Sequence, residues 1–159
     1  MARARIPDPE GVVAVRAAIA ALNPSAQSPA SAGAASPAEP APTTAPAVPA
    51  ATSPPAGGLS GGVPRSTLAT AVRYSLQLLA ERATGNTVEV RVPPFAAVQC
   101  IEGPGHTRGT PPNVVEMDAA TWLSLATGNL TWELGIETGR IHASGQRADL
   151  RGYVPVVGL

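Results

Sequence analysis

Few side chains in this chain are able to do chemistry, and their spacing argues against most of it. Cys100 is the sole thiol, and His106 and His142 are the two histidines. No pair stands at a ligand spacing such as His-x3-His or Cys-x2-Cys, so a zinc-type site would have to be gathered from distant residues, with Glu102 or Glu116 completing it. A nucleophilic Cys–His pair needs an imidazole held against the thiol, and His106, across a loop from Cys100, is badly placed for that. Cys100 lies in an apolar run and reads as a small core side chain with an inert thiol. Within the Gly/Pro-rich loop from Glu102 to Pro112, EGPGHTRGTPP, the stretch Gly103 to Thr110 raises the idea of an anion nest. It lacks the lysine of a Gly-x4-Gly-Lys-Ser/Thr loop and leads into a strand, so it is read as a solvated or lid-like loop. The expectation is therefore no catalytic residue, no metal, no cofactor and no enzymatic activity.

Two other residues stand out by rarity. Trp122 and Trp132 fall one on each of two consecutive short helices, among only five aromatic residues in the chain. Each reads as a core plug whose indole N–H finds a nearby acceptor, the alternative being that one of them edges a cavity. Arg147 and Asp149 either pair with each other or cap a last short helix.

The elements that must position these residues follow from periodicity. Asp8-Pro9-Glu10 starts a helix from about Pro9 to Leu22, Asp8 capping it and Pro9 at the first helical position. Val12, Val15, Ile19 and Leu22 form a narrow apolar stripe. Such a stripe packs either on its own domain, the reading preferred here, or on another protein. A second helix, capped by Ser66, runs from Thr67 to about Ala83, with Leu68, Val72, Leu76, Leu79 and Ala83 on one face. Arg73, Gln77 and Glu81 are its one clear polar strip.

Thr87 to Val92 alternates strictly, placing Val88, Val90 and Val92 toward a core and Glu89 and Arg91 toward water. Phe95 to Ile101 has little polarity on either face and is expected to be a central strand. A third strand over Asn113 to Met117 precedes a helix that Asp118 caps, Ala119 to Thr127, stopped by Gly128. Thr131 opens another short helix through Thr138. Arg140 to Ser144 is a fourth strand, and Arg147 to Tyr153 a last short helix. The predicted class is α+β, with a small, mainly antiparallel sheet covered on one face by short helices.

Composition sets the outer limits. The segment from residue 23 to 65 is almost entirely Pro, Ala, Ser, Thr and Gly and cannot bury enough apolar surface to offset chain entropy. The expected organisation is thus an N-terminal helix (1–22) packing on the domain, a disordered tether (23–65) and a folded domain (66–159). All 11 basic residues are arginine, an Ala/Gly/Pro-rich background that suggests a GC-rich bacterial genome. Net charge is +0 with the arginines scattered, so nucleic acid is not expected as a partner. One cysteine, an N-terminus without an apolar signal core and no run of about 18 apolar residues point to a cytoplasmic protein without an integral membrane segment.

Taken together, TVEVRVPPFAAVQC from Thr87, TPPNVVE from Thr110, TWLSLATG from Thr121 and GRIHASGQRADL from Gly139 resemble the bacterial sterol-carrier-protein-like family found in actinobacteria. The resemblance covers about Ser66 to Val156. It implies a sheet of five strands or slightly fewer under helices, enclosing an apolar tunnel for a fatty acyl or sterol-like ligand. Candidate wall residues on that reading are Val90, Phe95, Val98, Trp122, Leu125, Trp132, Ile136 and Leu150. The rival reading is a non-catalytic interaction module, or an accessory subunit of an enzyme encoded elsewhere.

Overall fold

A computed structural model describes residues 5–22, 62–103 and 113–158. Most of the Pro/Ala-rich segment and of the Gly/Pro-rich loop, His106 included, lies outside them. The described chain runs α1 (Asp8–Leu22), α2 (Arg65–Arg82), β1 (Val88–Val92), β2 (Ala96–Cys100), β3 (Val114–Met117), α3 (Ala119–Ala126), α4 (Trp132–Glu137) and β4 (Ile141–Ser144).

The strands form one sheet in the order β2-β1-β3-β4. β1 pairs antiparallel with β2 and parallel with β3, and β3 pairs antiparallel with β4. The sheet is therefore mixed, with antiparallel pairs in the majority, and the fold is the expected α+β. Val88, Val90 and Val92 are fully buried, as their alternation requires. Register carries that face across the sheet: Val90 lies beside Val98 on one side and Val115 on the other. The opposite face presents Glu89, Arg91, Gln99, Glu116 and His142, with Arg91 paired to Glu89 along its own strand.

Three expectations are overturned. β2 is an edge strand, not a central one: only its inward side chains Ala96, Val98 and Cys100 are drawn in, while Ala97 and Gln99 are exposed. Alanine, small enough for either environment, made the run look apolar on both sides. The second helix begins at Arg65 with Pro64 at its N-cap, and no side chain caps it. The last short helix is absent. Asp149 accepts from the backbone N–H of Arg151 (2.9 Å) and pairs with its guanidinium, and Gly152 adopts φ 80°, so the chain turns. Asp149 thus takes Arg151 and not Arg147 as its partner. The tail beyond Pro155 straps back onto α3, where Val156 and Val157 N–H both donate to the Ala126 carbonyl.

The short helices keep their predicted caps. Asp118 accepts from Thr121 N–H at 2.9 Å, and Thr131 accepts from Leu134 N–H at 3.3 Å. Between helices and sheet lies one apolar core containing Leu76, Leu79, Val90, Val115, Leu123, Leu125 and Leu150. Trp122 sits fully buried in it, and its indole N–H donates to Ser75 Oγ at 2.8 Å.

α1 packs on α2 by a face that shares Val15 with the predicted stripe and is centred to one side of it. Gly11, Ala14, Val15 and Ala18 are buried, whereas Val12, Ile19 and Leu22 flank them half-buried. The small residues permit close approach: a Cβ on Gly11 would lie 2.2 Å from the Tyr74 ring. Bulk suggested one stripe, but helix contact selects the residues that let two backbones come together.

Candidate functional site

α2 lies along the edge strand and is fastened to it at both ends. At its start the Arg65 guanidinium stands 5.8 Å from the centre of the Phe95 ring, and at its finish the Ala83 carbonyl accepts from Ile101 N–H at 2.8 Å. Between these ends the helix and strand leave a groove of about 690 Å³. Thr70, Arg73, Leu76, Gln77 and Glu81 line it from the helix, Ala96 and Val98 from the strand, and Arg5 and Ile6 from the segment that leads into α1.

That leading segment is clasped in place by polar contacts with α2. Gln77 Oε1 accepts from Ile6 N–H at 2.9 Å, and its amide donates back to the Ile6 carbonyl at 3.3 Å. Arg5 donates to both carboxylate oxygens of Glu81, at 2.9 and 3.2 Å, and lies 3.8 Å from Asp8. The hydrogen bond from Arg5 holds the Glu81 carboxyl below its ordinary value, against a weaker upward push from burial. Arg5 is correspondingly raised, chiefly by the same bond. The Tyr74 hydroxyl donates to Asp8 at 3.3 Å, and its pKa is raised by burial first and by the Asp8 charge next.

A smaller depression of about 440 Å³ lies between the α3–α4 turn and the C-terminal turn. Leu125, Leu130, Trp132, Val154 and Pro155 give it an apolar lining, with Glu133 and Arg151 also on its wall.

The eight candidate wall residues are not gathered into one wall. Val98 lines the larger groove, with Val90 fully buried beside it and Phe95 half-buried at the helix-start end. Leu125 and Trp132 line the smaller depression. Trp122 and Leu150 are core, fully buried, and Ile136 is 40% exposed. What sequence reasoning missed is the polar side of the groove. Its signal was the polar strip Arg73, Gln77 and Glu81 on α2, which borders the concavity.

The chemistry-bearing residues are dispersed. Cys100 is fully buried, and burial pushes its thiol up to about 11, the reverse of what an attacking thiolate needs. His142 is exposed on the outer face of the sheet, opposite Glu116. Among the described residues no three His, Cys, Asp or Glu side chains converge as a metal-binding group, and no helix is long and apolar enough to cross a membrane.

Comparison with known families agrees with this α+β arrangement. The profile of a family described as bacterial SCP ortholog matches residues 64–156, from the start of α2 to the C-terminal strap. A search of curated proteins finds no match. Because the matched stretch takes in more than half of the chain and every strand of the sheet, the chain belongs to the bacterial sterol-carrier-protein (SCP) ortholog family.

Proposed function

We propose that this protein is a non-catalytic lipid-binding or carrier protein that holds a fatty acyl or sterol-like ligand in the groove between α2 and β2. The carrying observation is the groove itself. Its volume of about 690 Å³ falls within the roughly 300–1,000 Å³ of small-molecule sites, and Ile6, Ala96 and Val98 supply apolar surface, with the buried Leu76 behind them. The tunnel implied by family resemblance would run between sheet and helices, but in that space Trp122, Leu76, Leu79, Leu123 and Leu125 are packed against one another. On this reading the ligand lies along the edge of the sheet. A cytoplasmic setting is part of the proposal, in keeping with a chain whose one thiol has no partner for an internal disulfide.

The test is displacement of a fluorescent fatty acid from the delipidated full-length protein, alongside native mass spectrometry of the protein as purified. Binding in the micromolar range, weakened by Val98→Asp in a variant whose circular dichroism matches wild type, is the expected result. No displacement and no co-purifying lipid would defeat the proposal.

A further inference from the structure

The larger groove carries two arginines, and the structure treats them differently. Arg5 is committed: Glu81 takes it through two hydrogen bonds, with Asp8 adding a third carboxylate oxygen at 3.8 Å. Gln77 is committed as well, both ends of its amide being used by the Ile6 backbone. Arg73 lines the same groove one helical turn before Gln77, is exposed, and has no carboxylate within ion-pair distance among the described residues. Thr70, one turn earlier again, adds a hydroxyl to the same wall. The groove therefore combines apolar surface from Ala96, Val98 and Ile6 with one guanidinium whose donors no side chain among the described residues satisfies.

We infer that Arg73 is the headgroup-selecting residue of this groove, and that it selects single-chain amphiphiles with an anionic head, a carboxylate or a phosphate monoester, over neutral lipids such as alcohols and sterols. This rests on the groove being the ligand site. A guanidinium presents N–H donors in a planar fork that matches two oxygens of a carboxylate or phosphate, and it gains nothing comparable from a single hydroxyl. The chain of such a ligand covers the apolar side chains while its head stays at the solvent edge, where Arg73 stands, so no charge has to be buried. Arg5 does not compete for the head, because Glu81 neutralises it. Position on α2 sets the geometry: Thr70, Arg73 and Gln77 lie at spacings of three and four residues and so share one face.

The experiment compares dodecanoate, dodecyl phosphate and dodecanol, which share one chain and differ in the head, by displacement of a fluorescent fatty acid from full-length wild type, Arg73→Gln and Arg16→Gln. Arg16, exposed on α1 and away from the groove lining, controls for loss of one positive charge. At least one anion is expected to bind wild type about three- to tenfold tighter than dodecanol, the scale of an exposed to partly desolvated charge-assisted contact. Arg73→Gln is expected to erase that preference with dodecanol binding unchanged, and Arg16→Gln to keep it. Which anion binds tighter identifies the head. Equal binding of all three ligands to wild type, or a preference that survives Arg73→Gln, would overturn the assignment to Arg73 while leaving the groove as a lipid site. Binding of none of the three would remove the groove as a ligand site and this inference with it.

Discussion

The contact between Trp122 and Ser75 offers the sharpest test of how this core is held. The indole is fully buried, and its N–H donates to Ser75 Oγ at 2.8 Å, while that hydroxyl donates back to the Ala71 carbonyl at 2.8 Å. Serine is therefore acceptor and donor at once, inside a helix and out of reach of water. Ser75→Ala removes little volume but leaves the indole N–H buried without an acceptor, a loss of about 1–3 kcal/mol. Alanine's better helix propensity offsets roughly 0.5 kcal/mol of that. In a Trp122→Phe background there is no N–H to strand, so the same Ser75→Ala change should cost nothing or stabilise slightly. The double-mutant cycle is expected to show a coupling of about 1–2 kcal/mol, measured by urea unfolding followed at the far-ultraviolet helix signal. A coupling indistinguishable from zero would show that the indole N–H contributes no net stability there, and would refute the reasoning.

Gly11→Ala places a methyl 2.2 Å from the Tyr74 ring, forcing Tyr74 or α1 to move; unfolding should show a loss of about 1–3 kcal/mol, and the same change made in a Tyr74→Ala background should cost less. Glu81 is a carboxyl held below its ordinary value in the folded protein, so its contribution is present above the unfolded carboxylate pKa and disappears as pH falls through the lowered one. Acidification should therefore loosen residues 5–6 from α2, seen as faster amide exchange at Ile6, and Glu81→Gln should show the fast exchange already at neutral pH. Cys100 is the opposite case: its native pKa is raised to about 11, so its contribution is whole below the unfolded thiol pKa and is lost as pH climbs through about 11. Wild type should then lose roughly 2 kcal/mol more than Cys100→Ala across that alkaline range, and equal slopes would contradict burial of the thiol. Ala96→Leu should fill the groove from the edge strand, stabilising the fold by about 1 kcal/mol while weakening displacement of the fluorescent fatty acid; unchanged binding would place the ligand elsewhere.

Local chemistry made much of the fold legible. Strict alternation over Val88 to Val92 fixed the buried face of β1, and the side-chain oxygens of Asp118 and Thr131 fixed the starts of α3 and α4. Strand order was not legible, since β2 lies at the edge and β1 in the middle because of a parallel partnership with β3 that no local pattern encodes. The α1 contact face was legible only in part, through Val15, for a related reason. Hydrophobic periodicity ranks side chains by how much apolar surface they bring, whereas Gly11, Ala14 and Ala18 matter by how little space they occupy. The candidate wall residues were chosen by apolar bulk too, and bulk is what fills a core: Trp122 and Leu150 lie in the packing.

The same distinction explains why a groove exists where it does. A short domain with five aromatics uses its large aliphatic side chains to close the space between sheet and helices, as Leu76, Leu79 and Leu123 do. Along the edge strand, concave surface is left where the facing side chains are small. Along β2 the inward positions step from Cys100, fully buried, to Val98 and Ala96, half-buried, as the strand runs out beneath α2. Opposite them α2 turns its one polar strip, and the strip keeps the gap from collapsing: Gln77 and Glu81 are tied to the segment at residues 5–6, which holds a third wall in place. Small residues on the strand, a polar ridge on the helix and a pinned N-terminal segment together make a cleft that is apolar on one side and charged on the other. An amphiphile with one chain and one anionic head satisfies both sides at once; a wholly apolar ligand would leave Arg73 with nothing to bind.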